Sequence, residues 1–131
     1  MSKLPEIRAR VIAHKDQRYE TVGDYHMVGR HWAFRVSAMG DWRYEFLVLL
    51  HELVEWAWCR QYGIDNATID DFDFKFEADR KKGLHSDDEE AGDDPAAPYY
   101  EGHQFATKLE RLAAAILKVK WERYDRTVMS L

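Results

Sequence analysis

The sequence predicts an α+β fold: a small antiparallel β-meander packed on two long helices and one short helical segment. Three patterns carry that expectation. Segments within residues 6–38 alternate apolar and polar side chains with period two. Residues 42–62 form a long, largely apolar stretch between Asp41 and Gly63, residue types that suit a helix N-cap and C-cap. Residues 99–121 repeat apolar side chains at helical spacing. A chain of 131 residues with 46% hydrophobic content can build one core without disulfides or metals. A single domain over 1–131 is therefore expected.

Taken in order, Ile7, Ala9 and Val11 should share one face of a first strand, with Arg8, Arg10 and His14 on the other. Lys15-Asp16-Gln17 is a polar turn. Gly29-Arg30 is a glycine-first pair suited to a tight hairpin between 24–28 and 31–38. In the second arm Trp32, Phe34, Val36 and Ala38 fall on one face. Gly40-Asp41 ends the sheet and starts the first long helix, which is apolar around most of its circumference and should be buried on most sides. A shorter segment, about 67–80, has Asn66 and Thr68 as candidate caps. Its Ile69, Phe72, Phe74 and Phe76 fit either a helix or a strand. The loop 82–97 holds the acidic run Asp87-Asp88-Glu89-Glu90, and is expected to be exposed and mobile. In the last helix Phe105, Leu109, Leu112 and Ile116 recur at i, i+4, i+7 and i+11, the spacing of a buried stripe.

Composition narrows the function classes. The net charge is −5 and no long basic run occurs, so no nucleic-acid partner is indicated. The longest unbroken apolar run, Phe46 to Leu50, is far too short for a membrane span. A single cysteine, Cys59, leaves no disulfide within the chain, which points to a reducing, cytoplasmic compartment. P-loop, dinucleotide-binding and nucleophile-elbow motifs do not occur.

The chemistry is concentrated in the first long helix. His51 and Glu55 are i, i+4 neighbours, and Glu52 and Glu55 are i, i+3 neighbours, so one turn presents an imidazole and two carboxylates. Burying an unpaired carboxylate costs on the order of several kcal/mol. A divalent cation would compensate that cost. Zinc accepts histidine nitrogen and carboxylate oxygen, with manganese, iron or magnesium as the other candidates. Exposure to solvent, or pairing with arginines such as Arg35 or Arg43, would compensate it equally well. A third ligand has to come from elsewhere; Glu101 and His103, near the start of the last helix, are the candidates.

His51-Glu52-Leu53-Val54-Glu55 resembles the H-E-x-x-H helix of the zincins, with Glu55 in place of the second histidine. A small sheet running into that helix is also similar to a minimal zincin. The resemblance implies His51 and Glu55 as metal ligands and Glu52 as general base. A carboxylate at the second ligand position adds negative charge and weakens the zinc preference. The chain as a whole resembles small bacteriophage and prophage proteins of uncharacterised activity, through the HELVE helix and through Asp93-Asp94-Pro95-Ala96-Ala97-Pro98-Tyr99 followed by His103.

A second carboxylate pattern joins Glu52-x-x-Glu55 to Asp70-x-x-Asp73. It resembles the all-α nucleotide pyrophosphohydrolases, whose helix carboxylates hold magnesium. Asp70 and Asp71 equally suit the first turn of a helix with no further role. The leading expectation is a metal-dependent hydrolase-like protein acting on an unknown substrate, with a solvent pocket reaching His51 beside Tyr99 or Tyr100. The alternatives are a non-enzymatic accessory module with a structural polar cluster, and a magnesium-dependent nucleotide pyrophosphohydrolase. A protein partner or a homo-oligomer is compatible with all three.

Overall fold

A computed structural model describes residues 3–131. Three strands, β1 (Ile7–Ile12), β2 (Gly23–Val28) and β3 (His31–Ser37), precede four helices: α1 (Trp42–Gln61), α2 (Asn66–Lys81), α3 (Tyr100–Ile116) and α4 (Trp121–Met129). The architecture is α+β, as the sequence predicts, but the sheet is mixed and not an antiparallel meander. Its order is β1-β3-β2. β2 and β3 form the expected hairpin, with Val28 opposite His31 and Gly29 at φ 60° in the turn. β1 runs parallel to β3, from Ile7 opposite Trp32 to Ile12 opposite Ser37.

The reason lies in the connection between β1 and β2. It is too long for a tight turn and is pinned across the end of β3. His14 Nδ1 lies 2.9 Å from Ser37 Oγ, and Gln17 Nε2 donates to that hydroxyl (3.1 Å) and to the Arg35 carbonyl (3.3 Å). The central strand is β3, with Ala33, Phe34 and Val36 buried. β1, carrying Arg8 and Arg10, becomes an edge, and its Val11 is exposed where the alternation placed it towards a core.

Asp41 caps α1 by accepting from the Arg43 amide at 2.9 Å, and Gly63, at φ 71°, follows the helix end. The ambiguous segment is a helix. Asp65, one residue before the expected caps, accepts from the Thr68 amide at 2.8 Å. Ile69, Asp73 and Phe76, at i, i+4 and i+7, form its buried face. The helix expected over 99–121 ends at Ile116, and a further, unexpected helix, α4, follows it. Lys118 adopts φ 56°, which breaks the chain between α3 and α4, and Tyr124 of α4 returns to the core.

Two apolar clusters result. One gathers Tyr25, Phe34, Trp56, Cys59, Ile69 and Tyr99; the other gathers Val36, Leu47, Val48, Ala114, Val119 and Tyr124. The stripe Phe105, Leu112 and Ile116 joins neither and faces outward. Instead α3 turns Gly102, His103, Ala106, Glu110 and Ala114 inward against α1. Small residues let the two backbones approach, and the large apolar side chains are left on the far side. Among the described residues no helix is long and apolar enough to cross a membrane.

Gly102 tests this close approach. In an ordinary helix, glycine to alanine stabilises by about 1 kcal/mol. A Cβ at Gly102 would lie 2.7 Å from the Trp58 ring, so Gly102→Ala is expected to destabilise instead, by about 1–3 kcal/mol. Urea unfolding followed by tryptophan fluorescence reads the sign directly; a variant at least as stable as the wild type would refute the packing argument.

Candidate metal centre between α1 and α3

The helices α1 and α3 run antiparallel. His51 lies opposite Glu110, Trp58 opposite Gly102, and the Arg43 guanidinium reaches the Leu117 carbonyl at 3.5 Å. That register brings His51 and Glu55 of α1 against His103 of α3. His51 Nε2 and Glu55 Oε2 are 3.3 Å apart, His103 Nδ1 and Glu55 Oε2 are 3.1 Å apart, and the two ring nitrogens are 3.1 Å apart. All three residues are buried. A tetrahedral ion with bonds of about 2.0 Å holds its ligand atoms roughly 3.3 Å from one another. The triangle therefore has the dimensions of three corners of such a site, and these three residues can hold a metal ion.

The outward atoms of the same residues are all engaged. His51 Nδ1 lies 2.8 Å from Glu110 Oε1, and the other Glu110 oxygen accepts from the Tyr124 hydroxyl. Tyr25 donates to Glu55 Oε1 at 2.8 Å. His103 Nε2 faces Glu90 Oε2 and Asp93 Oδ1, each at 3.3 Å. Carboxylates behind ligating histidines fix the ring orientation and raise its basicity. The segment that supplies Glu90 and Asp93 lies directly on the His103 ring, because a Cβ at Gly92 would come within 2.4 Å of Nδ1 and glycine has none.

The surrounding carboxylates favour the charged form of both rings. Burial disfavours a charged ring, yet the hydrogen bonds of His51 to Glu110 and Glu55 carry it up to about 10. His103 rises to about 12, burial again being outweighed by Asp93, Glu55 and Glu90. Glu55, which burial alone would raise, is held down at about 2 by His103 and His51. The two ring nitrogens that share Glu55 Oε2 lie 3.1 Å from each other.

The cluster forms part of the wall of a cleft of about 820 Å³ that also includes Glu52, Asp73 and Tyr99. Glu52 sits beside Gly23 of β2, where a Cβ would lie 2.7 Å from its Oε1. No described residue hydrogen-bonds its carboxylate. Burial, and then the Glu55 charge, push Glu52 well above the usual carboxylate range.

Of the residues singled out in the sequence, His51, Glu52, Glu55 and His103 come together, and Tyr99 borders the cleft. Glu101 is exposed on the first turn of α3 and is not part of the group. Neither arginine proposed to neutralise the glutamates does so. Arg43 pairs with Asp41 at 2.9 Å, and Arg35 reaches only backbone carbonyls at 3.5 Å. Asp70 and Asp73 are separated in role: Asp70 pairs with Arg18 (3.1 Å), which also binds Asp24 (2.7 Å), whereas Asp73 accepts from Tyr19 (2.8 Å) and Tyr99. Sequence reasoning missed Tyr25, Glu90, Asp93, Glu110 and Tyr124. Glu110 left a helical signal, since it lies seven residues after His103 and so shares its helix face, and Glu90 and Asp93 lie in segments marked by their charge and by their place before His103. No family model matches the chain, and neither does any curated protein or solved structure.

Asp73 has a pH signature of its own. Burial, with help from the Glu55 charge, pushes it from 3.8 up to about 7 against the pull of its tyrosine donors. Between those values the folded protein keeps a proton that the unfolded chain has released, so the contribution of Asp73 to stability falls as pH rises through that window. Asp73→Asn removes the ionisation. Measured by urea unfolding, its stability relative to wild type should rise by on the order of 3 kcal/mol between pH 4 and pH 8. A difference that does not vary with pH would contradict the assignment.

Proposed function

We propose that the protein is a metal-dependent hydrolase-like protein whose divalent ion, zinc by the chemistry of the donors, is held by His51 Nε2, His103 Nδ1 and Glu55 Oε2. The observation that carries this reading is the triangle of 3.1 to 3.3 Å among those atoms. Two nitrogens and one carboxylate oxygen suit zinc, and three protein ligands are the usual number for a catalytic site that keeps a position for water or substrate. When bound, the ion supplies Lewis acidity and makes water acidic near neutral pH.

The chain's own groups divide the remaining work. Glu52 shares the cleft wall with the ligands, and among the described residues none donates a hydrogen bond to its oxygens. Burial and the neighbouring Glu55 charge raise its proton affinity, the direction in which enzymes tune a carboxylate that moves a proton. Tyr25 and Glu110 hold the outer faces of Glu55 and His51, and Glu90 and Asp93 do so for His103. The position of the cluster in the wall of a cleft, rather than in a sealed core, supports chemistry over a purely structural ion.

Protein purified without chelator or a metal-binding tag should carry close to one zinc per chain by elemental mass spectrometry, and His51→Ala should abolish it. Glu110→Gln removes the carboxylate behind His51 and should weaken metal binding about 10- to 100-fold, read by competition with a chromogenic chelator. Glu52→Gln should retain the metal and lose any hydrolysis found by substrate screening. Negligible metal in wild type and His51→Ala alike would overturn the proposal, and an empty site in Glu52→Gln would make Glu52 a ligand.

A further inference from the structure

The α1–α3 pair has two sides. One carries the cleft, reached through His51, Glu52 and Glu55 of α1 and through His103, Thr107 and Glu110 of α3. The opposite side is apolar and uncovered. Trp42 is 66% exposed, Phe46 44%, Phe105 52%, Leu112 64% and Ile116 81%. The antiparallel register, with Arg43 against Leu117 and His51 against Glu110, places Trp42 and Phe46 beside Ile116 and Leu112. The result is one continuous face two helices wide, with half-buried Leu50, Leu53 and Leu109 between the exposed side chains.

We infer that this face is a homodimer interface, covered by the same face of a second copy of the chain. The five exposed side chains present on the order of 600 Å² of surface. That is the upper end of the largest apolar patch of an ordinary monomer, roughly 300–600 Å², and the half-buried leucines and the polar rim extend it towards the roughly 800 Å² per partner of a standard stable interface. The shape points to a second copy. A layer of two antiparallel helices is half of a four-helix bundle, and two-fold pairing of identical layers completes the bundle with no other partner. The polar surroundings also fit. Arg60, Glu101 and Lys108 are exposed near the edges of the face, giving an apolar centre with a charged rim. Because the face lies on the far side of α1 and α3 from the cleft, dimerisation leaves the candidate metal centre open.

Sedimentation equilibrium on the full chain at micromolar concentration tests this, with a chain mass of 15.5 kDa. The wild type is expected to sediment as a dimer. Leu112→Asp combined with Ile116→Asp is expected to raise the dimer Kd at least about 30-fold, while circular dichroism shows an unchanged helical fold. Val11→Asp, at an exposed apolar residue of the edge strand β1, is the control and should leave the dimer intact. A monomeric wild type overturns the inference. So does an oligomer that survives the α3 double substitution, or one that Val11→Asp disrupts.

Discussion

Glu55 is a carboxylate with 6% of its surface exposed, set between a sheet and two helices. Leaving such a charge unpaired would cost several kcal/mol, and much of the structure can be read as the arrangement that avoids it. β2 contributes the Tyr25 hydroxyl to one oxygen, while α1 and α3 each bring an imidazole to the other. Those imidazoles require partners in turn. Glu110 with Tyr124 behind it serves His51, and Glu90 and Asp93 serve His103. One buried charge thereby ties together β2, α1, α3, α4 and the acidic segment before α3. A network in which every member is satisfied rigidifies its surroundings, and this one lies between the two apolar clusters.

The same constraint explains the packing of α3. For its His103 to reach within 3.1 Å of Glu55, the helix must approach α1 closely, and Gly102, Ala106 and Ala114 on the contact face permit that. A helix has one circumference. Once small and polar residues occupy the inward face, Phe105, Leu112 and Ile116 have to point outward. The exposed apolar face of the molecule is thus a consequence of how its polar site is built, and both features trace to the composition of one helix.

The acidic segment before α3 also takes its place from this site. Isolated from the fold, four consecutive carboxylates repel one another and favour solvent. Here Gly92 lets the chain lie on the His103 ring, and Glu90 and Asp93 meet a protonatable nitrogen. The Arg80 guanidinium donates to backbone carbonyls of Ser86 and Glu89, joining the segment to the end of α2.

Local chemistry was legible in the residue order. The cap at Asp41, the turn at Gly29, the helical extent of 42–61 and the i, i+4 placement of His51 and Glu55 follow from backbone geometry within a few residues. The α+β class follows from the two hydrophobic periods. What required the tertiary structure was every choice among equally good local options. Period two marks β1 as a strand but not its direction, which depends on how Gln17 and His14 cross the end of β3. Helical spacing marks Phe105, Leu109, Leu112 and Ile116 as one stripe, but whether that stripe or the one through His103 and Glu110 turns inward depends on what α1 offers. It offers a buried carboxylate and an imidazole, and a buried charge is more costly to leave without partners than an apolar side chain is to leave in water. Likewise Tyr25, Glu90, Glu110 and Tyr124 are distant in sequence from the HELVE turn, and only the folded chain brings their oxygens to the outer atoms of His51, Glu55 and His103.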